Sequence, residues 1–198
     1  MKKILVFVLS SLFGLLLVSA CNSSSSVVPT PIPSATAQAT AEKSLPTPVP
    51  NGQTIVYNDL QVTMDQAEVI DSYITEYGSS RLPTGNTKFL WIHIILKNIG
   101  QKEQNLPTEE HFSALLGETE FKPTYGHRKD HTDYTALNTV IGQGEETNAW
   151  LRFDVPADAE LKDLTFAFLP DSTQVSFGFS SSDYSWADHP IYLWTCAP

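Results

Sequence analysis

Residues 88–98, KFLWIHIILKN, constrain the fold more than any other stretch of the chain, because their side chains sort into two sets at period two. A helix would scatter Leu90, Ile92, Ile94 and Leu96 around its circumference, whereas a strand lines them up on one side. The other side carries Phe89, Trp91, His93, Ile95 and Lys97, and it is also largely apolar. A sandwich interior accepts only one face of a strand, so the all-aliphatic set is assigned inward. The aromatic face then needs a cover, or it is a binding patch. The expectation is coverage, either by residues 73–82 or by a C-terminal segment holding Trp186, Ile191, Leu193 and Trp194. The partner surface, if the face is open, is Phe89, Trp91 and His93 with Trp194.

The same alternation returns along the chain. Leu151, Phe153 and Val155 oppose Trp150, Arg152 and Asp154; Leu164, Phe166 and Phe168 repeat the pattern, as do Val175, Phe177 and Phe179. Further strands are expected at 54–57, 60–69, 111–116, 120–124, 139–141 and 191–195. In the last of these, Ile191, Leu193 and Thr195 point one way, and Tyr192, Trp194 and Cys196 the other. Turn residues separate the strands, among them Asn98-Ile99-Gly100, Pro107, Gly117, residues 142–144 and Pro170-Asp171. Seven to ten short strands without an amphipathic helix predict an all-β, immunoglobulin-like antiparallel β-sandwich.

This domain is expected to span residues 52–198, and the chain before it reads differently. Lys2 and Lys3 precede an apolar run of about 15 residues, too short to span a bilayer, which ends at Val18-Ser19-Ala20-Cys21. That is a lipobox: small residues admit a peptidase before Cys21, whose thiol accepts the lipid. Residues 1–20 are therefore read as a lipoprotein signal peptide. Residues 21–51 follow as the lipidated cysteine and a Ser/Thr/Pro-rich disordered linker, with a reach of about 30 Å. The expected location is the extracytoplasmic side of a cell membrane, lipid-anchored, with the bilayer as partner through acylated Cys21.

Charge excludes some partners. With 12 Lys and Arg against 22 Asp and Glu, the chain carries a net charge of −10, more negative once Lys2 and Lys3 are removed. Nucleic acid is not expected to bind, nor is a polybasic grip on anionic lipid. Cys21 and Cys196 are the two cysteines, and lipidation of the first leaves no intrachain disulfide. Cys196 is then a small buried hydrophobe, a free or mixed-disulfide thiol, or a reactive or metal-binding group.

Titratable groups concentrate in residues 125–134, YGHRKDHTDY. His127, Asp130, His131 and Asp133 are the metal-ligand candidates, on donor type more than on spacing. A solvated polar loop and a partner-recognition loop are the other readings. No Gly-x-Ser-x-Gly elbow or phosphate-binding glycine loop occurs, and Glu109-Glu110 and Glu145-Glu146 would point to opposite faces of a strand. No catalytic residue and no cofactor is assigned.

The order of features resembles a known family. A long strand ends in Lys97-Asn98-Ile99-Gly100; Leu106-Pro107, Phe112, Leu115-Leu116-Gly117 and Tyr125 follow; Ile141-Gly142-Gln143-Gly144-Glu145 precedes the strand at 150–156, and residues 164–169 close the pattern. This is similar to the telokin-like, immunoglobulin-fold domain of unknown function found in bacterial extracellular lipoproteins, a fold shared with immunoprotective extracellular antigens. Coverage runs from about residue 54 to residue 180. The chain departs from the pattern at Gln143, where a proline is usual, and in residues 180–198. The resemblance implies a β-sandwich on a lipid anchor and transfers no active-site residue.

The expectation is thus an extracytoplasmic lipoprotein carrying a binding or interaction module, not an enzyme, with an envelope protein or other extracellular partner. The alternatives are a metal- or thiol-dependent envelope enzyme and a structural envelope component.

Overall fold

The computed structural model describes residues 45–171 and 189–198, which belong to one compact unit, residues 42–198. The signal segment, Cys21 and the tether up to residue 44 lie outside the described residues, as do the expected strand with Val175, Phe177 and Phe179, and Trp186. Among the described residues no helix is long and apolar enough to cross a membrane.

The strands are β1 (Thr54–Tyr57), β2 (Leu60–Ile70), β3 (Tyr73–Ile74), β4 (Ser80–Arg81), β5 (Thr87–Asn98), β6 (Gln104–Asn105), β7 (Phe112–Leu116), β8 (Thr119–Phe121), β9 (Val140–Ile141), β10 (Glu146–Pro156), β11 (Leu164–Phe168) and β12 (Tyr192–Thr195). Eight of them build the sandwich, as two antiparallel sheets in the orders β1-β2-β5-β10 and β12-β11-β7-β8; β3-β4 and β6-β9 are small two-stranded sheets. The all-β sandwich expected from the alternation is the observed fold.

Local chemistry explains several boundaries. Asn58 and Asp59 both take positive φ, 43° and 62°, and they join β1 to β2 as a two-residue hairpin closed by the Tyr57–Leu60 pair. The expected strand at 120–124 stops at Phe121, since Pro123 has no N–H to give a ladder. After β5, Asn98 is fully buried: its Oδ1 accepts from Gly100 N at 2.9 Å, and its Nδ2 donates to the carbonyls of Lys102 and Ile141. The turn before β10 is closed by Glu145 N donating to Gly142 O, with Gly144 at φ 72°.

β5 is the spine of its sheet. Leu90, Ile92, Ile94 and Leu96 are fully buried, facing Leu60, Val62 and Met64 of β2 and Ala149, Leu151, Phe153 and Val155 of β10 within the same core. The second sheet supplies an aromatic layer. Phe112 stacks between Phe166 and Phe168 at 5.6 and 5.1 Å, and Phe166 also meets Phe153 and Trp194.

One irregularity decides which side chains of β2 face out. Leu60, Val62 and Met64 point inward, and strict alternation would then bury Gln66, Glu68 and Ile70. A β-bulge between Met64 and Gln66 resets the parity, so Ala67 and Val69 pack on the core while Glu68 pairs opposite Trp91 on the outer face.

The C-terminal strand forms and pairs antiparallel with β11. Its alternation is as expected, but its role is different. Trp194 and Cys196 lie in the main core, with Trp194 Nε1 donating to Gln53 O at 2.7 Å, while Ile191 and Leu193 pack with Leu115, Ala167 and Leu169 in a separate cluster. Trp194 therefore shields the interior and not the aromatic face of β5, and it is no part of a partner surface.

Candidate binding cleft

The outer face of β5 is covered from two directions. From β3, Tyr73 sets its ring edge-on to Phe89 and Trp91, at 5.0 and 5.2 Å. From the connection between β8 and β9, His131 meets Trp91 edge-on at 5.2 Å and stacks on Trp150 at 3.8 Å. Trp91 is fully buried and Phe89 nearly so. The partner surface expected of Phe89, Trp91 and Trp194 is thus corrected: apolar rings this large are withdrawn from water by the molecule's own chain. His93 is half-buried, its Nδ1 2.6 Å from Asp65 at the bulge and its Nε2 3.2 Å from Asn148, against Trp150.

The 125–134 segment is a strap across β10. Thr124 N donates to Arg152 O, and Trp150 N to Thr132 O; Lys129 N donates to Ile74 O and joins the strap to β3. Gly126 is buried where the strap crosses Arg152, and a Cβ there would lie 2.8 Å from Arg152 Cδ and 3.1 Å from Tyr73 Oη. The four metal candidates are engaged separately. Asp133 caps the turn 134–136, accepting from Thr135 N at 2.8 Å. Asp130 pairs with Arg128 at 2.8 Å, and Arg128 also pairs with Glu68. His131 reaches Glu68 through Nε2 at 3.2 Å. His127 turns to Tyr125, 4.6 Å between ring centres. Among the described residues no three His, Cys, Asp or Glu side chains group to hold a metal ion.

Where the strap meets the β3–β4 hairpin, a cleft of about 440 Å³ opens, a size typical of ligand pockets. Tyr73, Tyr77, Arg81, Tyr125, His127 and Arg152 give it its character. Tyr77, Leu82 and Tyr125 are 85%, 72% and 69% exposed, with Ile74 nearby at 47%. Arg152 is held in place: it donates to Tyr73 Oη at 3.1 Å and to Thr124 Oγ1, pairs with Asp154, and lies 5.1 Å over the Phe89 ring. Arg81 has no ion pair among the described residues. The chain has three arginines; Arg81 and Arg152 line this cleft, and Arg128 stands on the same strap.

Sequence reading located the aromatic face, the 73–82 cover and the loop separately, and missed the cleft they make together. A legible signal was the pair of tyrosines in turn-rich, otherwise polar segments, Tyr77 and Tyr125, where a solvated loop has no need of them.

Two other features carry less. A cavity of about 590 Å³ lies between Leu106, Pro107, Glu109, Tyr134 and Leu137, where burial, then the nearby Asp133 and Glu110 charges, raise the Glu109 carboxyl above its ordinary value. Cys196 is buried, and desolvation pushes its thiol up to about 12, which suits a packing residue and not a nucleophile.

Similar folds are known. The chain superposes on the yjhA protein of Bacillus subtilis with a TM-score of 0.50 at 14% identity, covering 74% of this chain and 97% of that one. An uncharacterized beta-sandwich protein from Clostridium difficile 630 gives 0.43 at 14% identity, covering 77% and 98%, and the secreted protein MPT63 of Mycobacterium tuberculosis gives 0.46 at 16%, covering 64% and 91%. No curated protein matches the chain significantly. The model of the domain of unknown function DUF4352 matches residues 49–175, and the chain belongs to that family.

Proposed function

We propose that the chain is an extracytoplasmic lipoprotein, anchored through Cys21, whose β-sandwich is a binding module acting at the cleft between the strap and the β3–β4 hairpin. The observation that carries this reading is the exposure of Tyr77, Tyr125 and Leu82 around a concave site that also holds two arginines. Tyrosine and arginine are the side chains that concentrate binding energy at protein surfaces, and exposed apolar groups gathered around one concave site mark an interaction surface. The lipobox and the resemblance of the turn motifs to telokin-like lipoprotein domains support the anchor and the envelope setting. No catalysis is proposed: the Cys196 thiol is buried, and His93 and His131 are tied into the packing of Trp150.

The test is retention of the purified chain on envelopes of the parent bacterium. The double variant Tyr77→Ser/Tyr125→Ser is expected to lower the apparent affinity at least about tenfold, since each buried aromatic anchor is worth above about 1 kcal/mol. Unchanged retention, with an unchanged melting temperature, would overturn the assignment of the cleft.

A further inference from the structure

We propose that the cleft takes an acidic segment of a polypeptide partner, with a carboxylate on Arg81 and an aromatic or aliphatic side chain between Tyr77 and Tyr125. This rests on the cleft being the binding site.

The argument is one of charge placement. The chain carries an excess of ten negative charges, yet the cleft lining holds two arginines against one acid. Of the described lysines and arginines, Lys88, Lys97, Lys122, Arg128, Arg152 and Lys162 have acidic partners. Arg81, Lys102 and Lys129 do not. Of these, Arg81 lines the cleft. Asp154, the acid that lines the cleft, is taken by Arg152, while Glu76, beside the Tyr77 hydroxyl, keeps its charge outside the lining. His127 stands inside the same wall. What is left is a guanidinium with no acidic partner among the described residues, beside exposed tyrosine rings. A guanidinium fork matches a carboxylate in two parallel hydrogen bonds, and an exposed tyrosine offers apolar area at small entropic cost. An acidic peptide with an apolar neighbour satisfies both. A neutral glycan would leave the Arg81 charge without a counter-charge, and a cationic ligand would face that charge unopposed.

Arg152 also gains from this reading. Locked by Tyr73, Thr124 and Asp154, it keeps its charge at the cleft floor without moving, so the site's field is set before a partner arrives.

A random peptide library displayed on phage, selected on the purified full chain in detergent, tests the proposal. Enriched peptides are expected to carry Asp or Glu beside an aromatic or aliphatic residue. Their affinity should fall about tenfold or more when the acids become Gln or Asn, or when Arg81→Ala is introduced, and Arg81→Lys should restore part of it. Arg81 is exposed, so neither variant threatens the fold. Cleft-dependent peptides without acids, or no response to Arg81→Ala, overturn the proposal. Complete displacement by millimolar inorganic phosphate also overturns it, in favour of a simple anion site. If no cleft-dependent peptide emerges while Tyr77→Ser/Tyr125→Ser still lowers envelope retention, the acidic-peptide assignment fails and the binding cleft stands. If that retention is unaffected as well, both fail.

Discussion

His131 lies flat on Trp150, ring centres 3.8 Å apart and planes within 15°. Trp150 is on β10, part of the rigid sheet, and His131 is on the strap. His93 of β5 meets the same indole at 4.9 Å. Trp150 therefore sits among two histidines, each with a carboxylate at a ring nitrogen, Glu68 for His131 and Asp65 for His93. Asp65 is outward by plain alternation and Glu68 because the bulge in β2 resets the parity, so a single extra residue in one strand prepares part of the ground on which the strap rests.

Gly126→Ala probes that seating. The added methyl would meet Arg152 where its own hydrogen bonds to Tyr73 and Thr124 prevent retreat. Chemical denaturation is expected to show a loss of about 1–3 kcal/mol, the usual cost of overpacking, and envelope retention should weaken with it. A variant of wild-type stability would mean the strap is free to lift.

Ile94→Ala and Ile95→Ala, adjacent on β5, separate the faces. Ile94 is fully buried between Met64 and Ala149, and its truncation should cost about 2–5 kcal/mol. Ile95 is partly exposed, so the same change there should cost clearly less in a urea titration.

Glu109→Gln should reveal the strained carboxyl. Burial raises its folded pKa above the unfolded value, so the native state holds its proton more tightly than the unfolded chain does. Stability from this group is present at low pH and is lost as pH rises from the ordinary value of 4.5 through the raised one. The amide removes that loss. Its melting temperature should exceed wild type at pH 7, with the advantage vanishing at pH 4; an advantage of equal size at both pH values would reject the cause.

Cys21→Ala tests the anchor. Without the lipid-accepting thiol the protein should leave the membrane fraction and appear in the medium or periplasm, folded, with a melting temperature equal to that of the soluble domain. Continued sedimentation with membranes after normal export would sink the lipobox reading.

Period-two alternation is a local property of the chain, and it was enough to determine an all-β sandwich, the inward row from Leu90 to Leu96, and the strand at the C-terminus with its two opposite faces. Asn98 could be read as a turn residue because its partner, Gly100 N, is two residues away. What occupies an outer face is a matter of distant pairs, and no spacing encodes it. Tyr73 reaches Trp91, His131 reaches Trp150, and Trp194 reaches Gln53 across most of the domain. The sequence left the cover of the aromatic face between two candidates, and Tyr73 with the strap supplies it. One of those candidates was the C-terminal segment with Trp194, which pairing with β11 turns into the core. Alternation alone also assigns Glu68 to the interior; the bulge at Met64 and Gln66 reverses this, because one residue of slip exchanges the faces of everything after it. The cleft exists only where hairpin, strap and sheet edge converge, so its tyrosines and arginines, scattered from Tyr73 to Arg152 along the chain, become one site through the fold alone.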